Sequence, residues 1–526
     1  MLRLTRLQSR GDQGTLLGSR SGLEKESLRV RPDGHMSLQP HPAALGSALT
    51  HPYITTDFSE ALLEFVTPPH TDVRDTLRFL EQLHAFTYRM LGEELLWATS
   101  MPCMVSGDED VPLADYGSSN VGIMKRVYRR GLGKRYGRVM QTISGVHFNF
   151  SFSEPFWAAL QAIDGDDRAL ADYTNDGYFA LIRNFQRFGW IVPYLFGASP
   201  ALCKSFLKGR KHDLPAFDDG TLHLPWATSL RMSDLGYKNS AQASLEIDYG
   251  DINSYVRSLT RAIETPYPPF ERIGVKVDGE YLQLNDNLLQ IENEYYSFVR
   301  PKQIARSGEK PTLALSRRGV LYVEIRALDV NPFAPAGVDE SQLRVLETLM
   351  LLCALRDSPP VSSAEYRQIE QVQREVATRG REPGLRITLL DHEDSVIGHA
   401  ARMLQSMLPM AAALDDAHGG RLYSEALEAQ LELSTHPDRL PSARILQTLT
   451  SQEIPFFRFA MNQSIAHRDY FLSQTPDSES TRMLQREASH SLQMQAEIEA
   501  SDVIDFDEYL RRYLSQTLEE RAAILG

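Results

Sequence analysis

The chain has 526 residues, 42% hydrophobic and 24% charged, which is enough apolar side chain for a large core. Its 55 basic against 69 acidic residues leave a formal charge of −14, which argues against a general nucleic-acid-binding surface. Cys103, Cys203 and Cys353 stand far apart with no CxxC pair, which argues against a disulfide framework or a zinc–thiolate site and fits a reducing cytosol.

The first ten residues, MLRLTRLQSR, are basic but lack an apolar core of signal-peptide length. The longest apolar stretch, WIVPYLFGASPALC at 190–203, is too short to span a bilayer and contains two prolines. A cytoplasmic chain with no membrane and no nucleic-acid partner is expected.

In chain order, GLEKESLRV (22–30) reads as a half-buried strand on which Glu24 and Glu26 share one face with Leu28 and Val30. Two carboxylates that close repel unless a cation lies between them. TTDFSEALLEFVTP (55–68) carries Asp57, Glu60 and Glu64; helix and strand readings compete there, and each puts Glu60 and Glu64 on one face. Residues 74–97 space their apolar side chains as an amphipathic helix, and so do 177–190. The run KRVYRRGLGKRYGR (125–138) packs seven Lys/Arg into fourteen residues of an acidic protein. It is either a solvated face or a local attractor for an anionic substrate.

QTISGVHFNFSF (141–152) alternates cleanly, with Val146, Phe148, Phe150 and Phe152 on a core face and His147 and Asn149 on the other. A further alternating segment covers 281–291. GVLYVEIRALDVNPF (319–333) repeats the pattern, with Leu321, Val323, Ile325 and Ala327 on the apolar face and Tyr322, Glu324, Arg326 and Leu328 opposite. Glu324 beside Arg326 is either a surface ion pair or the combination a phosphate–metal site needs. From about 340 onward, 340–356, 361–379, 396–415, 420–434, 440–451 and 484–520 read as helices with few strand signals. The reading is α+β, with residues 1–345 a catalytic region and 346–526 a mainly helical portion packed on it in one continuous unit.

Four segments thus offer Asp, Glu or His opposite an apolar face. Oxygen donors with one imidazole and no thiolate favour magnesium or manganese over zinc or copper. Magnesium commonly shares its shell with phosphates, which suggests a nucleotide substrate. The usual nucleotide motifs are missing: GASPALCKS (197–205) is a near miss to GxxxxGK[ST], GLGKRYG (131–137) fails GxGxxG, and there is no GxSxG.

These segments, with YGSSNVGIMKRVYRRGL, FGWIVPYLFGASPALC, LQIENEYYSFVRPK, ARSGEKP and YVEIRALDVNPFAPAGVD, closely resemble the proteobacterial glutamate–cysteine ligase family from about residue 20 to 356. The resemblance implies an antiparallel sheet curled into a funnel-like active site, related to glutamine synthetase and surrounded by helices. It implies ATP-dependent ligation of glutamate to cysteine through a γ-glutamyl phosphate, with two or three magnesium (or manganese) ions. Carried over by motif, the metal ligands fall on Glu24, Glu26, Asp57, Glu64, His147 and Glu324, and Arg326 is the catalytic group at the transferring phosphoryl. Phe58, Tyr128, Arg129, Asn149, Arg231, Tyr237 and Tyr296 match substrate-binding positions. The partners are then glutamate, cysteine and ATP; a monomer is expected, with an oligomer left open. Some members carry a cysteine just after the strand ending near 152; this chain does not, so a disulfide from Cys103 to that region is not available. Two other functions share these residues: a ligase for a different amine, and a metal-dependent hydrolase, which would leave the Glu324/Arg326 pair unused. A non-catalytic protein of the same fold would be expected to have lost the acids.

Overall fold

The computed structural model describes residues 2–105, 107–235 and 245–517. Seven antiparallel strands form the central sheet: β1 (Arg20–Val30), β2 (Ile54–Thr56), β3 (Leu62–Val66), β4 (Leu95–Leu96), β5 (Gly145–Ser151), β6 (Val299–Lys302) and β7 (Tyr322–Asp329). Their order is β6–β7–β5–β1–β3–β2, with β4 paired to the end of β1. β1 is therefore central, flanked by β3 and β5.

Strict alternation makes this sheet two-faced. Leu23, Val146, Phe148, Phe150, Val323 and Ile325 are all buried in the main core. Against that face pack α1 (Val73–Met90), α3 (Leu170–Phe188) and α4 (Glu340–Leu355), with α2 (Asn120–Tyr136) lying in the chain between α1 and α3. The residues after 340 contribute Leu404, Met407 and Leu427 to the same cluster. Beyond Glu26 the other face runs into a second apolar cluster that holds Leu28, Val30 and Phe58. A helix-rich tail follows, broken by a β-hairpin of Arg386–Leu389 and His392–Ser395, and its helix α5 (Phe506–Ser515) returns to α2. There Leu510 and Tyr513 bury against Met124 and Val127. No helix among the described residues is long and apolar enough to cross a membrane.

Several local readings change. The helix expected over 74–97 stops at Met90, where Gly92 with φ 62° turns the chain so that Leu95–Leu96 can join the sheet. Segment 55–68 is neither one helix nor one strand but two short strands joined by a turn in which Leu62 N–H donates to Ser59. That turn separates Glu60 from Glu64: the Glu60 carboxylate accepts from the His41 and Asp115 backbones. Most of 281–291 is irregular, because side chains satisfy its backbone instead of a neighbouring strand. Leu284 N–H donates to Gln290 Oε1 (3.0 Å) and Gln290 N–H to Glu294 Oε2 (2.7 Å). In β7 a register shift between Ile325 and Leu328 turns Leu328 into the core, whereas unbroken alternation had put it beside Arg326. Leu321, assigned to the apolar face, is 46% exposed. The single helix expected over 484–520 is two, Ser478–Ser501 and α5, with Asp505 capping the second through the Glu508 N–H.

The cysteines also depart from expectation. Cys103 and Cys203 form a disulfide, their Cα atoms 5.2 Å apart across a sequence separation of 100, while Cys353 is free and buried. Wide spacing in sequence said nothing about spacing in space. The bond crosslinks the second apolar cluster, to which both cysteines belong. Closing so long a loop constrains the unfolded chain by up to about 5 kcal/mol in the chain-entropy model. Cys203→Ser, or reduction with a thiol, is therefore expected to lower the melting temperature by several degrees; an unchanged melting curve would show that the bond carries no stability.

Candidate active site

The polar face of the sheet collects acids from three strands and the turn after β2. On β1, Glu24 lies opposite His147 of β5 and Glu26 opposite Glu64 of β3. On β7, Glu324 lies opposite Asn149 of β5 and, on its other side, Arg300 of β6. Like charges directly across a ladder are unfavourable, so the Glu26–Glu64 pair exists at a cost that something else must offset.

The hydrogen bonds are specific. His147 Nδ1 is 3.1 Å from Glu24 Oε2, and Asn149 Nδ2 donates to Glu24 Oε1 at 2.9 Å. Glu26 Oε2 accepts from the Gly145 N–H at 2.7 Å. Glu324 is bracketed by Lys302 Nζ and Arg326 Nη1, each 3.1 Å away. The Arg326 guanidinium also faces the Tyr296 ring, 5.5 Å from its centroid. Asp57 sits in the turn after β2, where Arg129 Nε donates to its carbonyl and Arg129 Nη2 stands 3.9 Å from its carboxylate.

The charge states divide this face into two halves. Burial and the charge of Glu324 push the Glu24 carboxyl up, but His147 and Lys302 hold it below the usual range. Burial likewise opposes ionisation of Glu324, and Lys302 and Arg326 overcome it to hold its carboxyl well below that range. In the other half compensation falls short. Burial, with Asp57 adding repulsion, pushes Glu26 up to about 8 despite Arg231 and Arg326. Burial and the charges of Glu24, Asp57 and Glu26 raise Glu64 well above normal. Burial and Arg326 lower His147, so its ring is neutral and able to serve as a ligand.

Do these residues fit a metal? Glu24, Glu64 and His147 each place one donor atom within 4.8 Å of the others. His147 Nε2 is buried without a hydrogen-bond partner among the described residues. A neutral imidazole lone pair beside two crowded carboxylates is a donor set short of a cation, and its oxygen-rich chemistry suits magnesium or manganese.

All of this opens into a cavity of about 940 Å³. Glu24, Glu26, Asp57, Phe58, Glu64, Tyr128, Arg129, His147, Tyr296, Glu324 and Arg326 all line it. Two expected residues sit differently. Asn149 orients Glu24 from within the sheet. Arg231 is fully buried and donates to the carbonyls of Leu328 (3.1 Å) and Arg326 (3.0 Å), holding the bulge in β7. Its guanidinium passes so close to Gly145 that a Cβ there would lie 2.1 Å from Nη2. Tyr237 lies outside the described residues.

Sequence reasoning overlooked other wall residues. Arg300 and Lys302, at alternate positions of β6, bring two further cations to Glu324; their i, i+2 spacing beside a proline was the available signal. Tyr509 and Tyr513 of α5 also line the cavity, and no local pattern announced that. The run 125–138 is helical as far as Tyr136, with one face inward: Lys125, Tyr128, Arg129 and Leu132 line the cavity while Arg126 and Lys134 are exposed.

The family model described as glutamate-cysteine ligase matches residues 4–376. The glutamate–cysteine ligase of Alcanivorax borkumensis is 52% identical over 504 residues, covering 95% of this chain and 96% of that one. The Azotobacter vinelandii enzyme of the same name is 48% identical over 514 residues, 97% of each chain. Among solved structures, glutamate–cysteine ligase from Francisella tularensis, in complex with AMP, superposes with a TM-score of 0.89 at 36% identity, covering 96% of this chain and 98% of that one. With the acid-lined face and its cations already assembled by the strand register, the chain belongs to the glutamate–cysteine ligase family.

Proposed function

We propose that the chain joins the γ-carboxylate of glutamate to the amine of cysteine at the expense of ATP, through a γ-glutamyl phosphate. The products are γ-glutamylcysteine, ADP and phosphate, and the reaction is the first step of glutathione biosynthesis. The observation that carries this reading is the division of one sheet face into an uncompensated acidic half and a half bracketed by Lys302, Arg300 and Arg326.

Glu24, Glu64 and His147 would hold a divalent ion, with Glu26, Asp57 and Glu324 available to a second or third. Such ions supply positive charge that neutralises the triphosphate and the substrate carboxylate. The protein does the rest by position. Phosphoryl transfer needs alignment and charge stabilisation rather than a protein nucleophile. Arg326, held by Glu324 and flanked by Tyr296, presents a planar fork suited to the equatorial oxygens of the transferring group. Arg231 fixes the backbone from which Arg326 projects, so its effect on catalysis is exerted through that side chain. Phe58, Tyr128, Arg129 and Tyr296 line the space left for the two amino acids.

Sustained ADP release measured with ATP, Mg²⁺, glutamate and cysteine, omitting each in turn, should require all four; sustained release from ATP and Mg²⁺ with neither amino acid would favour a hydrolase and sink the ligase reading. Arg326→Ala should lower turnover on the order of 10²–10³-fold, about 2.7–4 kcal/mol, with little change in substrate KM. Unchanged turnover would remove it from the mechanism.

A third expectation concerns pH. Without metal, the folded chain keeps Glu26 protonated up to about 8, whereas the unfolded chain ionises it at the ordinary carboxyl value. Glu26 therefore subtracts stability as pH rises through that interval, and Glu64, pushed up by burial and its acidic neighbours, acts in the same direction. Metal binding displaces those protons. Stabilisation by Mg²⁺ should then grow toward pH 8, by up to about 1.4 kcal/mol per pH unit for each proton displaced, with the contribution of Glu26 levelling off above it. Denaturant melts with Mg²⁺ and with EDTA at several pH values test this; a pH-independent difference would place the metal away from Glu26 and Glu64.

A further inference from the structure

A second cavity, of about 1080 Å³, adjoins the catalytic one, and Leu207 and Arg210 line both. Its position follows from a small hairpin in which Ala201–Cys203 pairs with Thr221–His223. The Lys204 N–H donates to the Gly220 carbonyl at 2.8 Å, and the chain then leaves the strand in a short turn over Lys204–Leu207. Cys203, the last residue of that strand, lines the cavity. Its disulfide partner Cys103 does not, and that segment reaches the cavity through Met104.

The walls carry both signs of charge. Lys204 and Lys208 are exposed amines, and Asp218, Asp219 and Glu453 bring carboxylates. Two further polar atoms of lining residues, Ser205 Oγ and His212 Nδ1, are buried without a hydrogen-bond partner among the described residues. Such a set suits a small zwitterion, whose carboxylate and ammonium each meet an opposite charge and whose other polar atoms satisfy the two orphaned groups. The disulfide sulfur adds an electrophile to this wall. A thiolate attacks in line with the S–S bond, so the attacked sulfur faces the attacker and the leaving sulfur lies beyond it. Cys203 on the wall and Cys103 away from it stand in that order.

We propose that this cavity is an S-thiolation site, at which a small zwitterionic amino-acid thiol binds and exchanges with the crosslink at Cys203. The attacking thiol gives up its proton, and its sulfur bonds to Cys203 Sγ. The electron pair of the Cys103–Cys203 bond leaves on Cys103, which takes up a proton. One thiol and one disulfide are consumed, one mixed disulfide and one thiol are formed, and no external oxidant or reductant enters. Cys103 is 4% exposed within the second apolar cluster, surroundings that favour the protonated thiol once it has formed. The ligand class includes both the amine substrate and the dipeptide product of the ligase reading, and only that correspondence rests on it. The crosslink then opens in the presence of the compounds that the enzyme consumes and makes.

The test follows opening of the disulfide in the oxidised full chain, without ATP or Mg²⁺. The probes are cysteine, γ-glutamylcysteine, cysteamine (no carboxylate), 3-mercaptopropionate (no amine) and 2-mercaptoethanol (neither). Dividing each rate by that of the same thiol with bis(2-hydroxyethyl) disulfide removes intrinsic reactivity. The faster of the two amino-acid thiols should then exceed the other three probes by at least about tenfold, and which of the two is faster names the natural occupant. Peptide mass mapping after an acid quench should find the adduct on Cys203 and a free thiol on Cys103. Lys204→Gln with Lys208→Gln should bring the selectivity down to within about twofold while leaving the 2-mercaptoethanol rate unchanged. Equal normalised rates in the wild-type chain, or an adduct on Cys103, overturn the proposal. Three titratable thiols in the denatured chain after oxidation would remove the crosslink and the proposal with it. The ADP-release assay separates the two readings: a chain that ligates without thiol selectivity loses only the thiolation site, and one that shows the selectivity but ligates nothing loses only the link to the reaction.

Discussion

The crowding of carboxylates on one face of β1 is the constraint around which the rest of the structure is arranged. Glu24 and Glu26 point the same way because strand geometry gives them no choice, and antiparallel pairing then brings Glu64 directly across from Glu26. A sheet carrying such a face is held together from behind. Phe148, Phe150, Val323 and Ile325 turn to a core built with helices from the whole length of the chain. The apolar face supplies the stability that the acidic face consumes.

The uneven compensation of that face gives it direction. Lys302, Arg326 and His147 keep Glu24 and Glu324 ionised, whereas Glu26 and Glu64 have only each other, Asp57 and partial relief from more distant arginines. The first half thus has cations beside its acids, while the second carries carboxyl groups that burial and mutual repulsion hold away from ionisation. The bulge in β7 adds to this: it sends Leu328 inward and leaves Arg326 facing the cavity, with Arg231 bonded to the two carbonyls on either side. Asp329, accepting from the Ala198 N–H and from the Ser199 and Ser229 hydroxyls, ties that end of the strand to two loops.

How far this was legible in the sequence depends on how local the signal is. Period-two alternation identified β1, β5 and β7 and put Glu24, Glu26, His147, Glu324 and Arg326 on polar faces, because the side-chain period of a strand is fixed by covalent geometry. The bulge escaped notice, since one register shift leaves the residue pattern unchanged until Leu328 is placed. Glu60 and Glu64 were misjudged together for a similar reason: a turn anchored at Ser59 interrupts the period between them. Long-range facts carried no local trace. The Cys103–Cys203 bond, the approach of α5 to α2, and the burial of Arg231 against Gly145 each depend on segments separated by tens to hundreds of positions.

The walls of the cavity are drawn from residues as distant in the chain as Glu24 and Tyr513. Contacts of such separation form late in folding, since loop closure must precede any gain from them. Lys310 Nζ, donating to the Leu514 carbonyl at 2.9 Å, and Lys276, paired with Asp507 at 2.7 Å, tie α5 to segments distant in the chain. An incompletely folded chain thus has its acids without the enclosing walls. One wall of the cavity thus rests on a helix more than three hundred positions beyond the basic helix it covers, so the enclosure of the acids depends on the far end of the described chain.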